Sequence, residues 1–181
     1  MTRVDVRLSK FLARILRHAP ASVGLILDRE GWGEVEGVLE AARERRLAAD
    51  GEDIRRVVAS NNKKRFELSS DGRRIRAVQG HSTPVVDRRF DAVPPPEFLF
   101  HGTAESSLSA IRAAGLRPGT RHYVHLSADR ETAILVGRRH GLPVVLTVAA
   151  ARMAGAGHHF HLAENGVWLT KSVPPQYLHH L

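Results

Sequence analysis

The sequence contains no cysteine, and only 6% of its 181 residues are aromatic. Without thiols, disulfide bonds and thiolate metal sites are excluded. No stretch reaches the roughly 18 consecutive apolar residues of a membrane-spanning helix. Residues 1–5 also lack the apolar core of a signal peptide. We therefore expect a cytoplasmic protein with no membrane partner.

Positive charge is plentiful. Lysine and arginine together number 27 against 19 acidic residues, which gives a formal net charge of +8. Most of the excess is arginine, whose planar fork matches phosphate oxygens better than an ammonium does. This composition favours a polyanionic partner such as nucleic acid, although a solvated Arg-rich surface would look the same.

The first half of the chain predicts three helices and a hairpin. Apolar residues recur at helical spacing along one face of the first helix, at Leu8, Phe11, Leu12, Ile15 and Leu16. Pro20 ends that helix. Further helices are expected near 34–45 and 53–60, and short strands at 65–68 and 75–78. This order predicts a small winged-helix-like domain over residues 1–80.

Proline-containing residues 81–96 have little periodicity, and we interpret them as a linker. Beyond them the pattern changes to short apolar strands, expected near 98–100, 124–126, 144–148 and 167–169. Two helices are expected between them, near 105–114 and 130–140, the second closed by Gly141. Residues 97–181 therefore predict an α+β domain built on a mostly antiparallel sheet.

Two basic segments of the first domain are candidate anion sites. Arg17 and His18 end the first helix, where cations either compensate the helix dipole or bind an anion. His18 could also donate a proton near neutral pH. The run that ends at Arg65, residues 61–65, is either a solvated turn or a phosphate-binding loop.

The second domain has two polar segments of its own. His101, Gly102 and Thr103 follow an apolar strand, and the glycine would let a ligand approach the backbone. Further on, alternate residues would place four polar groups on one strand face, namely Arg121, Tyr123, His125 and Ser127. Four such groups are unlike plain core, and they favour a binding site.

The 11 histidines raise the question of a metal. None of the clustered ones, which include His158, His159 and His161, has the helical spacing of a zinc protease. We therefore expect no functional metal.

Taken in order, these segments resemble the RNA 2′-phosphotransferase family, called tRNA 2′-phosphotransferases in fungi. The resemblance covers nearly the whole chain and rests on nine segments in sequence. They lie at residues 9–12, 16–20, 31–32, 62–66, 76–82, 101–103, 124–127, 137–141 and 165–170. No single segment is decisive, but their order is specific.

The resemblance implies a winged-helix-like N-terminal lobe and a C-terminal lobe of the ADP-ribosyltransferase fold. It implies that NAD is consumed as a co-substrate. The RNA 2′-phosphate would displace nicotinamide to give RNA-2′-phospho-ADP-ribose. The ADP-ribose 2″-hydroxyl would then release 2′-hydroxyl RNA and ADP-ribose 1″,2″-cyclic phosphate. The expected partner is RNA with an internal 2′-phosphate, as in tRNA splicing, and we expect a monomer.

The family's phosphate-binding and catalytic tetrad falls on Arg17, His18, Arg65 and Arg121. Arg17, His18 and Arg65 match their motifs directly, and Arg121 is assigned by its spacing before residues 124–127. The positions implied for NAD are His101, Gly102, Thr103, Tyr123, Ser127, Arg139, Asn165 and Val167. One departure is Tyr123, which stands where the family commonly has histidine.

Two alternatives stay open at this point. The same arginines would serve an ADP-ribosyltransferase that acts on terminal phosphates of nucleic acids. A non-catalytic winged-helix nucleic-acid-binding protein would need neither His101 to Thr103 nor the polar strand face.

Overall fold

The computed structural model describes residues 3–47, 49–60 and 64–179. The chain divides into two compact units, Met1–Arg89 and Phe90–Leu181. Helices and antiparallel sheets occur in both units, which confirms the α+β class. The boundary falls within residues 81–96, and Val86 from the first part of that segment belongs to the core of the first unit.

Among its described residues, the first unit contains three α-helices and one three-stranded sheet. Its elements are α1 (Arg3–Arg17), β1 (Gly33–Glu34), α2 (Val35–Glu44), α3 (Gly51–Ala59), β2 (Phe66–Leu68) and β3 (Arg74–Ala77). The sheet is antiparallel with strand order β1-β3-β2. The predicted helices and hairpin are confirmed. The sequence did not predict β1, because two residues are too short for a periodic pattern.

Helix α1 buries the face that its periodicity predicted, through Leu8, Leu12, Ile15 and Leu16. It ends at Arg17, and a 3-10 turn over Pro20–Val23 follows. The unpaired carbonyls at a helix end need donors. The Arg17 carbonyl receives two, since the backbone N–H groups of Ser82 and Thr83 donate to it at 2.9 and 3.2 Å.

Within residues 90–179, the strands of the second unit are β4 (Leu99–Ala104), β5 (Val124–Leu126), β6 (Pro143–Val148), β7 (Phe160–Leu162), β8 (Trp168–Thr170) and β9 (Leu178–His179). They form two three-stranded antiparallel sheets, with strand orders β4-β6-β9 and β5-β8-β7. The helices of this unit are α4 (Leu108–Ala114), α5 (Arg130–Gly137) and α6 (Ala150–Gly155). A backbone bridge between Phe100 and Ser127 joins the sheets.

Several predicted boundaries in this unit were wrong. Helix α5 ends at Gly137, so Gly141 is not its cap. Strands β7 and β9 and helix α6 were not predicted, because each is at most six residues long and too short to show its period. Within the described part of the chain, no helix is long and apolar enough to cross a bilayer.

Gly102 lies where α5 packs directly on β4. A Cβ atom added at Gly102 would lie 1.7 Å from the carbonyl oxygen of Ala133 in α5. The contact is reciprocal, since a Cβ atom at Gly137 would lie 2.8 Å from the carbonyl oxygen of Thr103. The space beside Gly102 therefore belongs to a helix backbone, which corrects the expectation that this glycine makes room for a ligand.

We predict that Gly102→Ala destabilises the fold by roughly 3 kcal/mol, because a main-chain carbonyl cannot move aside without shifting α5. Chemical denaturation of the full chain measures this loss. Gly155→Ala is the matched control, since nothing lies within 4 Å of an added Cβ there. We expect that control to keep or slightly raise the free energy of unfolding. Equal stability of the two variants would contradict the packing argument.

Candidate active-site residues

Arg17 and His18 lie at the end of α1 beside the segment that follows β3. The His18 Nδ1 atom lies 2.9 Å from the Ser82 hydroxyl oxygen. A Cβ atom at Gly80 would lie 3.7 Å from the guanidinium carbon of Arg17, so the chain runs alongside that side chain. The Nε and Nη2 atoms of Arg17 are shielded from solvent. The sequence-predicted pair is therefore held in place from two sides.

Arg65 reaches the same segment through the hairpin register. Strands β2 and β3 pair Phe66 with Ala77, and the next backbone N–H, that of Val78, donates to the Arg65 carbonyl at 2.9 Å. Residues 78–82 thus connect the Arg65 backbone with the end of α1. Of the predicted basic loop, residues 61–63 lie outside the described part of the chain.

The predicted polar strand face is only half right. Strand β5 covers Val124–Leu126, so Arg121 and Tyr123 lie in the bend that precedes it. Ser127 lies just after the strand and exchanges two backbone hydrogen bonds with Phe100, at 2.7 and 2.9 Å. That exchange fixes the end of β5 against β4.

A chain of contacts nevertheless joins three polar side chains here. The Arg121 Nη1 atom lies 3.5 Å from His125 Nδ1, and His101 Nδ1 lies 3.0 Å from the His125 carbonyl oxygen. A carbonyl only accepts, so His101 carries its proton on Nδ1 and keeps Nε2 as an acceptor. A guanidinium only donates, so His125 Nδ1 accepts. His125 was given no role of its own by sequence reasoning.

Burial decides the charge of His101. Desolvation lowers the pKa of His101 and the nearby His140 acts in the same direction, while the hydrogen bond to the His125 carbonyl opposes both. The imidazole is therefore neutral at pH 7. Desolvation also lowers the pKa of Arg121, but a guanidinium stays charged under these conditions.

Tyr123 lies among aromatic and cationic neighbours. Its ring meets the rings of Phe90 and His161 edge-on, with centroids 6.0 and 5.6 Å away, and Lys171 Nζ lies 4.1 Å from its centroid. Lys171 was not predicted from the sequence, and His161 was considered only as a possible metal ligand. The feature that relates His161 to this site is the strand register. His125 and His161 both pair with Leu169, so the three residues share one face of the sheet.

The other predicted nucleotide residues are spread over the second unit. Thr103 is buried on β4, and Arg139 is exposed in the turn after α5. Before β8, the Val167 N–H donates to Asn165 Oδ1 at 3.4 Å around Gly166, whose φ is 79°. No group of three or more His, Asp or Glu side chains among the described residues could hold a metal.

We predict that His101 titrates below the ordinary histidine value of 6.5 and carries its neutral proton on Nδ1. Since its folded pKa lies below its unfolded pKa, its contribution to stability is complete above 6.5 and is lost as the pH falls through the folded value. Long-range ¹H–¹⁵N NMR of histidine-labelled protein measures both properties, and loss of the signal in His101→Asn assigns it. A midpoint above 6.5, or an Nε2–H tautomer, would contradict this.

The chain matches one family over most of its length. Residues 3–172 match the sequence profile described as RNA 2'-phosphotransferase, Tpt1 / KptA family. Three similar proteins are each named "Probable RNA 2'-phosphotransferase". The Burkholderia lata protein is 55% identical over 172 residues, covering 95% of this chain and 89% of that protein. The Agrobacterium fabrum protein is 56% identical over 170 residues, covering 94% and 91%.

The Pectobacterium atrosepticum protein is 49% identical over 178 residues, covering 98% of this chain and 99% of that protein. Identity of this order extends over both compact units, so neither unit is an unrelated addition. The resemblance that the ordered motifs indicated is confirmed. The chain belongs to the RNA 2′-phosphotransferase family.

Proposed function

We propose that this protein is an NAD-dependent RNA 2′-phosphotransferase that consumes NAD as a co-substrate. Membership of the family supports transfer of an RNA 2′-phosphate. The observation that carries the NAD part is the contact chain from Arg121 through His125 to His101. This contact chain links Arg121, which we expect to bind the phosphate, to His101, which we expect to bind the ribose of NAD. A reaction between these two groups requires that they lie close together.

The lobes fit this proposal. Three helices with an antiparallel sheet in residues 3–89 are consistent with a winged-helix-like lobe. The two antiparallel sheets of the second unit are consistent with an ADP-ribosyltransferase fold. We further propose that the protein works as a cytoplasmic monomer on RNA with an internal 2′-phosphate, such as a tRNA-splicing product.

On the phosphate side, Arg17, His18, Arg65 and Arg121 would hold the 2′-phosphate. Arginine forks pair with phosphate oxygens and stabilise the extra charge of a pentacoordinate transition state. His18 is oriented through the contact between its Nδ1 atom and the Ser82 hydroxyl oxygen. In that position it would protonate the departing RNA 2′-oxygen.

On the nucleotide side, bound NAD would supply a ribose whose anomeric carbon bears a good leaving group. Neutral His101 offers Nε2 as an acceptor for a ribose hydroxyl, beside Thr103 on β4 and Ser127 at the end of β5. Tyr123 would present its ring near the nicotinamide, and Arg139, Asn165 and Val167 would complete the contacts. Gly102 would serve by admitting α5 against β4.

The proposed reaction consists of two successive substitutions, one at carbon and one at phosphorus. A 2′-phosphate oxygen bonds to the anomeric carbon as the carbon–nitrogen bond breaks and nicotinamide leaves. The ribose 2″-hydroxyl then bonds to phosphorus while the bond from phosphorus to the RNA 2′-oxygen breaks. One proton leaves the 2″-hydroxyl and one reaches the 2′-oxygen. The enzyme mainly positions these groups, which can account for a large part of such a barrier.

We predict that the purified protein with NAD converts an internally 2′-phosphorylated oligoribonucleotide to its 2′-hydroxyl form. Chromatography should detect stoichiometric nicotinamide and ADP-ribose cyclic phosphate. An identical oligonucleotide that bears only a terminal phosphate is the control. Modification of the terminal phosphate alone would favour the other ADP-ribosyltransferase activity. Absence of NAD binding in calorimetry would leave only a nucleic-acid-binding protein.

We predict that Arg65→Ala and Arg121→Ala each slow phosphate transfer roughly 10- to 100-fold, the cost of about 1.5–3 kcal/mol for a lost charged hydrogen bond. ADP-ribosylated RNA should accumulate, because the second step builds the most charge on phosphorus. Arg112→Ala, an exposed arginine of α4, is the matched control and should keep full activity. Unchanged turnover in both site variants would refute the phosphate assignment.

A further inference from the structure

A second group of arginines in the first unit lies outside the proposed phosphate site. A cavity of about 240 Å³ is lined by Arg7, Arg14 and Arg45, together with Phe11 and Ser22. Among the described residues that line it, none is acidic. The cavity has room for several water-sized groups, each of about 30 Å³, and so for a phosphate with part of its sugar.

These arginines differ from their neighbours in how their charge is compensated. Five arginines elsewhere in the unit lie within 4.0 Å of a carboxylate, namely Arg43, Arg55, Arg56, Arg74 and Arg76, whereas the scattered Arg29, Arg46, Arg73 and Arg89 do not among the described residues. Arg7, Arg14 and Arg45 have no such ion pair within the described part of the chain. Three uncompensated cations around one cavity repel each other, and a bound anion removes that repulsion.

The site is also partly preorganised. The Arg45 Nη2 atom donates to the Ser22 carbonyl at 3.0 Å, which fixes that guanidinium at the end of α2. Arg7, Phe11 and Arg14 lie at i, i+4 and i+7 on one face of α1, so the helix fixes the positions from which their side chains extend. Phe11 adds an aromatic ring on which a base could stack.

The position of the cavity indicates which kind of molecule would supply a bound phosphate. Arg7, Lys10, Arg14 and Arg17 follow one side of α1 at i, i+3, i+7 and i+10. At 1.5 Å per residue, Arg7 lies about 15 Å along the helix from Arg17. A basic ridge thus leads from the cavity to a residue of the proposed phosphate site, as a polynucleotide track would.

We propose that the cavity formed by Arg7, Arg14 and Arg45 binds a backbone phosphate of the RNA substrate, several nucleotides from the reacting 2′-phosphate. This extends the proposed function, because the same RNA would occupy both places. Arginine suits phosphate by its bidentate fork, and an open cavity suits a flexible single strand.

The test measures RNA binding to the full chain without NAD, by fluorescence anisotropy at increasing salt. One probe is a dinucleotide with a 2′-phosphate, and the other is a decanucleotide with the same central group. For Arg7→Gln/Arg14→Gln we expect a loss of about tenfold on the decanucleotide and none on the dinucleotide. For the decanucleotide, the slope of the logarithm of the binding constant against the logarithm of the salt concentration should decrease in magnitude by about 0.7 when one phosphate contact is lost.

Arg43→Gln/Arg55→Gln removes the same charge from exposed, ion-paired arginines and is the matched control. Should the double variant unfold, Arg14→Gln alone should show a smaller loss, about threefold. Decanucleotide binding equal to the control would overturn the proposal, as would equal losses on both probes. If the double variant loses the binding of inorganic phosphate but keeps its RNA binding, the cavity is a site for a free anion, and the proposal is also overturned.

The two proposals can fail separately. Loss of decanucleotide binding in Arg7→Gln/Arg14→Gln supports the cavity even if no NAD is consumed. If both Arg7→Gln/Arg14→Gln and its matched control still transfer phosphate from the dinucleotide, that activity supports the proposed reaction even if the cavity binds nothing.

Discussion

The close packing of α5 on β4 is the constraint on which the second unit depends. The two backbones approach so closely that neither Gly102 nor Gly137 can carry a side chain. Successive strand residues face opposite ways, so the strand face away from α5 carries His101 and Thr103. Phe100 then exchanges backbone hydrogen bonds with Ser127, which brings β5 alongside and lets His101 reach the His125 carbonyl. Helix packing thereby determines where the polar groups meet.

Burial gives these groups their chemical state. His101 loses hydration on β4, and its one carbonyl partner fixes the tautomer, so it presents a neutral acceptor. Arg121 keeps its charge although it is partly desolvated. A neutral acceptor beside a fixed cation suits a reaction in which a ribose must be held and a phosphate must be neutralised. In the first unit, Ser82 fixes His18 in a comparable way.

The first unit combines a compact core with an unevenly compensated surface. Most of its ion-paired arginines lie on exposed faces, where such pairs add little stability. Arg7, Arg14 and Arg45 beside the α1 cavity have no carboxylate within 4.0 Å in the described part of the chain. A protein of net charge +8 attracts nucleic acid over its whole surface, but only uncompensated and positioned guanidinium groups can hold a particular phosphate.

By itself the sequence determined the α+β class, helices α1 to α3, the β2–β3 hairpin and the family, because long periodic segments and ordered motifs are local properties. It also supplied Arg17, His18 and His101 as candidates. Only the tertiary structure decided that Gly102 serves α5, that Arg121 precedes its strand, and that His125 joins it to His101. Register, backbone approach and cavities arise between residues distant in sequence, so no local pattern could encode them.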